Sequence, residues 1–174
     1  FLGRISPEKR VDRAIAIAKA CGCPIRIAAK VDDADREYFE REIRPLLDDP
    51  SVEFIEEIGD AQKSDFLGGA RALLFPIDWP EPFGLVMIEA MACGTPVIAF
   101  RGGSVVEIVD DGVTGFVVDS VEEAIEALKR VDSIDRQRCR AEFERRFSAE
   151  RMAADHLQLY EMAIARSAPV PGAA

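Results

Sequence analysis

Hydrophobic positions along the chain form short apolar runs that alternate with longer amphipathic stretches. Runs of this length are typical of buried strands, and apolar residues spaced three and four apart are typical of helices. The runs predict the end of a first strand at residues 1–2 and further strands at residues 25–30, 52–55, 73–75, 97–100 and 115–118. The intervening stretches predict helices at residues 9–21, 33–47, 64–70, 85–93 and 105–109, and another beginning at Ser120. We expect Pro45 to disturb the end of the helix at residues 33–47.

This alternation of strands and helices predicts an α/β fold. Parallel strands joined by helices form open sheets through right-handed crossovers. We therefore expect a Rossmann-like, doubly wound parallel sheet of about six strands with helices on both faces. Strand signals stop at residue 134, which predicts extra carboxyl-terminal helices, and the composition of residues 168–174 predicts a disordered tail.

Length and charge narrow the class of protein. The chain has 174 residues, which fits one domain with its own core, and we place that domain at residues 1–167. A net charge of -10 argues against binding to a nucleic-acid backbone. Arginines cluster in residues 136–146, but acidic residues lie among them, so we expect a solvated helix face there. No apolar run approaches the roughly 20 residues that span a bilayer.

The cysteines indicate the cellular compartment, and the first residue indicates how much of the protein the chain represents. Cys21, Cys23, Cys93 and Cys139 show neither zinc-site spacing nor a small disulfide framework, which predicts a reduced, cytoplasmic setting. The chain begins with Phe1 inside a predicted strand, so we expect it to be a piece of a longer protein.

The stretch from Pro80 to Ala99 carries the most specific chemistry. Pro80 and Pro82 predict a loop after the strand at residues 73–75, and a helix follows from Gly84. The free N–H groups and partial positive charge of a helix start favour an anion. Glu81 precedes that start and Glu89 lies inside the helix, where carboxylates can accept hydrogen bonds from hydroxyl groups. The pattern suits a ligand that is part phosphate and part polyol.

Two basic residues follow the first predicted strand. Arg4 and Lys9 lie in the loop at its carboxyl end, where doubly wound sheets bind ligands, and they could neutralise a phosphate. The acidic cluster of Asp32, Asp33 and Asp35 could suggest a metal-bridged diphosphate, but it lies at a predicted helix start. Because aspartate caps free N–H groups at such positions, we interpret this cluster as a cap and predict no metal.

Four ordered segments together resemble retaining glycosyltransferases of family 4, which have the GT-B fold. The E-x7-E motif of that family falls on Glu81 and Glu89, and its Phe-Gly-Leu falls on residues 83–85. Residues 3–9 resemble the G-R-x4-K segment of the family, Gly102-Gly103 followed by Glu107 resembles its next glycine loop, and residues 111–118 are similar to a further family stretch. The resemblance extends to about residue 131.

The resemblance implies a carboxyl-terminal domain that binds a UDP-, GDP- or ADP-sugar, with the amino-terminal acceptor domain absent from this chain. Transfer to an acceptor, which could be a sugar, a lipid or a small molecule, would retain the anomeric configuration without a cofactor or metal. The implied roles are diphosphate neutralisation by Arg4 and Lys9, N–H donation at the helix start formed by Phe83, Gly84 and Leu85, ribose binding by Glu89, and binding of the transferred sugar by Glu81. Of these, Arg4, Lys9 and Glu81 are the expected catalytic residues.

Several alternatives stay open from the sequence. A nucleotide-sugar epimerase of the GT-B type would use the same phosphate and ribose contacts, and a non-catalytic domain could bind a nucleotide sugar without transferring it. Relatives often carry glycine at the position of Glu56, beside the expected base site, so the base is not assigned. We expect the separate domain to transfer little or nothing, and the whole protein to be cytoplasmic, with peripheral contact at the inner membrane face through the missing domain.

Overall fold

The computed structural model describes residues 1–167, and the predicted tail at residues 168–174 lies outside them. The described residues form six strands: β1 (Leu2–Ile5), β2 (Ile25–Val31), β3 (Val52–Glu56), β4 (Leu73–Phe75), β5 (Val97–Phe100) and β6 (Gly115–Val118). The α-helices are α1 (Val11–Ala20), α2 (Arg36–Tyr38), α3 (Asp60–Gly68), α4 (Leu85–Ala92), α5 (Val105–Ile108), α6 (Val121–Arg130), α7 (Arg136–Arg146) and α8 (Ala149–Ser167). The predicted α/β class with extra carboxyl-terminal helices is confirmed.

The strands pair in parallel, as predicted, but form two hydrogen-bonded sheets of three strands each. Their orders are β1-β2-β3 and β4-β5-β6. Leu2 lies opposite Ala28 in the first sheet, and Leu73 lies opposite Val97 in the second. Side chains from both sheets belong to one hydrophobic cluster, so packing unites the two halves. Because all strands in a sheet point the same way, their carboxyl ends share one edge, where ligands bind in such folds.

The segment predicted as one helix at residues 33–47 is irregular instead. A 3-10 turn at Asp33–Asp35 leads into α2, then a π-helical turn at Phe39–Ile43 and another 3-10 turn at Arg44–Leu46. Pro45 supplies the physical reason, because it has no N–H to bond to the carbonyl four residues earlier. The widened turn still buries Phe39 and Ile43.

The carboxyl-terminal helix α8 packs least of all the long helices. Its residues Leu157, Tyr160 and Ile164 are exposed. His156, the only histidine of the chain, donates a hydrogen bond from Nδ1 to the Met152 carbonyl within the same helix. Within residues 1–167, none of the helices combines the length and hydrophobicity that a membrane crossing requires.

Candidate functional site

Two loops at the carboxyl ends of β1 and β4 meet in an ion pair. Lys9, just after β1, donates a short hydrogen bond from Nζ to Oε2 of Glu81, 72 positions later. Both side chains are largely enclosed, with 19% of Lys9 and 10% of Glu81 exposed. Two predicted site residues are therefore adjacent, at the sheet edge where a ligand is expected.

Aromatic side chains surround this pair. Trp79 donates a hydrogen bond from Nε1 to the same Glu81 oxygen over 3.0 Å. The Lys9 ammonium lies 5.1 Å from the Trp79 ring centroid and 5.5 Å from that of Phe75. Contacts of this kind stabilise a cation electrostatically. The ammonium is therefore positioned by three separate groups.

The glycine loop after β5 packs directly on the Glu81 loop. Ser104 donates its backbone N–H to the Glu81 carbonyl over 2.9 Å and its hydroxyl to the Phe83 carbonyl over 2.8 Å. Gly103 has φ of +54°, and a Cβ there would lie 2.5 Å from the Glu81 backbone nitrogen. Only glycine permits this approach, so the loop that resembles the family's glycine segment supports Glu81.

The start of α4 lies immediately after Glu81. Gly84 precedes the helix with φ of +78°, and a Cβ there would lie 2.6 Å from Met87 Cε. The first N–H groups of a helix have no partner within it, so those at Leu85 and Val86 are available to an anion. The Leu85 side chain is 64% exposed, and Phe83 contacts Phe147 edge to face. Phe83 and Leu85 can thus offer a ligand their backbone groups and exposed side-chain surface, because neither side chain is enclosed.

Glu89 lines a separate small cavity. Its carboxylate accepts a hydrogen bond from Lys63 Nζ over 3.0 Å, and Lys63 also pairs with Asp60. The cavity has a volume of about 210 Å³ and is lined by Leu2, Gly3, Ala28, Ala29, Lys30, Glu57, Ile58, Lys63 and Glu89. The hydrogen bond to Glu89 raises the pKa of Lys63, which keeps that ammonium charged at neutral pH.

Arg4 lies at the exposed rim rather than beside Lys9. Its guanidinium pairs with Glu8 over 2.8 Å and approaches Asp32 to 3.9 Å, and half of the side chain is exposed. Asp32 does not cap the following turn through its side chain; it accepts a hydrogen bond from Lys30 over 2.7 Å. The cap interpretation of this acidic cluster is therefore wrong at Asp32, since a nearby ammonium offers a charged partner. Across residues 1–167, histidines, cysteines and carboxylates form no grouping suited to a metal ion.

Sequence reasoning missed two residues that contact the predicted carboxylates. Lys63 contacts Glu89, and Trp79 contacts Glu81. Trp79 stands beside Pro80 in the signature loop, and a lone tryptophan in such a loop was a usable signal. Lys63 carried none, because its contact depends on how α3 packs beside α4.

Comparison with known proteins adds independent evidence. A family model described as glycosyl transferases group 1 matches residues 1–150. D-inositol 3-phosphate glycosyltransferase of Streptomyces scabiei is 32% identical over 146 residues, covering 71% of this chain and 30% of the relative. The chain spans less than half the length of the curated relatives that it matches, such as the alpha-maltose-1-phosphate synthase of Mycobacterium tuberculosis.

Solved structures agree with the family match. AviGT4, a glycosyltransferase involved in avilamycin A biosynthesis, is 30% identical with a TM-score of 0.80, over 95% of this chain and 51% of that one. HepE of Anabaena, crystallised with UDP and glucose, has a TM-score of 0.72 at 22% identity, over 94% of this chain and 48% of that one, which is a likeness of fold. The match over residues 1–150 places the chain in the glycosyl transferases group 1 family.

Proposed function

We propose that residues 1–167 bind a nucleoside diphosphate sugar and form the donor domain of a larger glycosyltransferase. The observation that carries this proposal is the meeting of Lys9 and Glu81 beside the start of α4. An enclosed ammonium and free helix N–H groups suit a diphosphate, and an adjacent carboxylate suits sugar hydroxyls. The names of the relatives, which include an alpha-maltose-1-phosphate synthase and a D-inositol 3-phosphate glycosyltransferase, support the same class of reaction.

Lys9 is the main group acting on the diphosphate. When the bond between the sugar and the phosphate breaks, negative charge grows on the departing diphosphate, and preorganised positive groups stabilise that charge. Lys9 is held in place by Glu81 and two rings, so its ammonium is already directed when a diphosphate displaces Glu81 from it. Arg4, which is half exposed, adds a weaker and more solvent-screened contribution.

Glu89 and Glu81 divide the hydroxyl groups of the donor between them. Glu89 lines the cavity beside β1 and the carboxyl-terminal half of β2, where its carboxylate accepts hydrogen bonds from the ribose. Glu81 accepts hydrogen bonds from the transferred sugar next to the diphosphate. Among residues 1–167, the side chains that bond to the Glu81 carboxylate are Lys9 and Trp79, and neither an ammonium nor an indole is a base, so we assign the acceptor and its activation to a second domain. We also propose that the anomeric configuration is retained, as the family resemblance implies.

Calorimetric titration of the chain with UDP, GDP and ADP, and with their glucose conjugates, tests the proposal. Two variants address the site: Lys9→Met keeps an unbranched chain against the rings, and Glu89→Ala removes the cavity carboxylate. Their matched controls are Lys129→Met and Glu144→Ala, which remove exposed, ion-paired residues on other helices. Because hydrogen bonds to charged groups contribute about 1.5–3 kcal/mol, we expect each site variant to lose about 10- to 100-fold in affinity.

The two sets of variants separate the possible outcomes. Saturable binding of one nucleotide that weakens in Lys9→Met and Glu89→Ala, but not in the controls, supports the donor domain and identifies the base. Equal binding by the wild type and both site variants would contradict the assignment of the site. Absence of binding by every nucleotide would contradict the proposal for this chain.

A further inference from the structure

Trp79 contacts both halves of the Lys9–Glu81 pair. It is the one tryptophan of the chain and lies in the loop between β4 and α4, with 37% of the residue exposed. Its indole N–H donates to Glu81 Oε2 over 3.0 Å, and its ring centroid lies 5.1 Å from Lys9 Nζ. One side chain thus contacts the proposed sugar-binding carboxylate and the proposed phosphate-binding ammonium.

The hydrogen bond from the Trp79 N–H to Glu81 is most important when a ligand binds the Lys9 ammonium. In the structure Lys9 and the indole N–H bind the same carboxylate oxygen, so a diphosphate that binds Lys9 competes with Glu81 for its ammonium. The Glu81 residue as a whole is only 8% exposed. A buried carboxylate that loses its cation is destabilised unless another donor remains. The indole N–H is that donor, and a charge-assisted hydrogen bond also fixes the direction of the carboxylate.

The backbone on either side of Trp79 is fixed by neighbours. Asp78 donates its N–H to the Glu8 carbonyl over 2.8 Å, and its carboxylate accepts from Arg10 and Arg13 over 2.9 Å each. A Cβ at Gly102 would lie 2.7 Å from the Trp79 carbonyl oxygen, so the glycine loop packs closely on this segment. The indole is therefore carried by a loop that is anchored on two sides.

We propose that Trp79 is a positioning residue of the donor site. Its N–H orients Glu81 toward the transferred sugar after the diphosphate has engaged Lys9, and its ring face keeps Lys9 directed at that diphosphate. This role rests on the proposed function, because it acts through the two residues assigned to the donor. Two parts of one side chain therefore have different roles. The indole N–H orients the carboxylate that binds the sugar, and the ring face directs the ammonium that binds the phosphate.

Substitution separates these two contributions. Trp79→Phe retains a ring near Lys9 but removes the N–H donor. We expect it to weaken binding of UDP-glucose, GDP-glucose or ADP-glucose, whichever binds the wild type, by about tenfold, and to leave the bare nucleotide within about twofold. Trp79→Ala removes both contacts, so it should weaken the bare nucleotide as well. A general loss of structure would lower both affinities together in Trp79→Phe.

A double-mutant cycle with Glu81→Gln tests the route of the effect. If Trp79 acts through Glu81, the tenfold effect of Trp79→Phe on the sugar conjugate should shrink to about twofold when Glu81 is already glutamine. The single indole N–H resonance gives a direct check, because Glu81→Gln should shift it in the ligand-free chain. Unfolding by urea establishes that each variant is folded.

The outcomes distinguish this role from the proposed function. Nucleotide-sugar binding with independent effects of Trp79→Phe and Glu81→Gln would overturn the positioning role alone. An indole resonance that does not move in Glu81→Gln would also overturn it. Absence of any nucleotide-sugar binding by the wild type would overturn the proposed function and the positioning role with it.

Discussion

Gly103→Ala is the change that tests most directly how the Glu81 loop is supported. The new Cβ would lie 2.5 Å from the Glu81 nitrogen and 2.7 Å from the Pro80 carbonyl carbon, and nearer still to the Glu81 carbonyl oxygen. These are backbone atoms, which cannot rotate away as a flexible side-chain end could. The glycine loop and the Glu81 loop must therefore separate, and the hydrogen bond from the Ser104 N–H to the Glu81 carbonyl is lost.

The expected loss of stability has a backbone part and a contact part. A left-handed conformation costs a residue other than glycine about 1–2 kcal/mol. Separating the two loops adds about 1 kcal/mol for the lost hydrogen bond and about 1–3 kcal/mol for overpacking. Gly22→Ala is the matched control, because Gly22 has φ of +62° and a Cβ there would meet no atom within 4 Å. The difference between the two variants isolates the contact part, at roughly 2–4 kcal/mol.

Urea unfolding followed by circular dichroism measures both free energies of unfolding. Gly103→Ala should be less stable than Gly22→Ala by that difference, and its nucleotide-sugar affinity should fall, whereas Gly22→Ala should bind as the wild type does. If the two variants were equally stable within about 0.5 kcal/mol, the close packing of Gly103 on Glu81 would be refuted.

Three further predictions follow from particular residues. Glu56 has φ of +64°, so Glu56→Gly should raise the free energy of unfolding by about 0.5–1 kcal/mol, whereas Glu53→Gly in the same strand should lower it by a similar amount in urea unfolding. Cys139 is fully buried, and burial raises its pKa to about 11, so iodoacetamide at pH 8 should leave it unmodified until urea unfolds the chain, as peptide mass spectrometry would show. The chain by itself should release no UDP, GDP or ADP from the matching glucose conjugate above the buffer rate in a coupled assay, since the proposed acceptor domain lies elsewhere; release above that rate would contradict this.

Most of the fold could be predicted because local patterns agree with the tertiary structure. The strands at residues 73–75, 97–100 and 115–118 were placed at their observed limits, since each is a short apolar run bounded by glycine, proline or polar residues. The helix beginning after Ser120 was also correct, and the Ser120 hydroxyl accepts the Glu123 N–H as a cap. Pro45 was expected to disturb only the end of the helix at residues 33–47, but the irregularity extends back to the π-helical turn at Phe39–Ile43, because periodicity does not show which carbonyl loses its partner.

Glu56 stands where the family resemblance implies glycine, and its backbone has a positive φ. Its φ of +64° is a conformation that glycine adopts readily, which gives a physical reason for the glycine that the family resemblance implies at this position. In this chain the residue ends β3, next to Glu57 and Ile58 of the Glu89 cavity. The left-handed backbone conformation is thus kept at residue 56, although the residue is glutamate rather than glycine.

The candidate site was only partly predictable. Residues close together in the sequence could be grouped from their spacing, whereas contacts between distant residues could not. Glu81, Gly84 and Glu89 lie within one loop and helix, so their spacing alone indicated a shared ligand. The contact between Glu81 and Lys9 spans 72 positions, and that between Glu89 and Lys63 spans 26, so both depend on how separate elements pack. Each carboxylate also gained a cation that spacing could not supply. In the proposed donor complex, hydroxyl groups of the donor therefore compete with Lys9 for Glu81 and with Lys63 for Glu89.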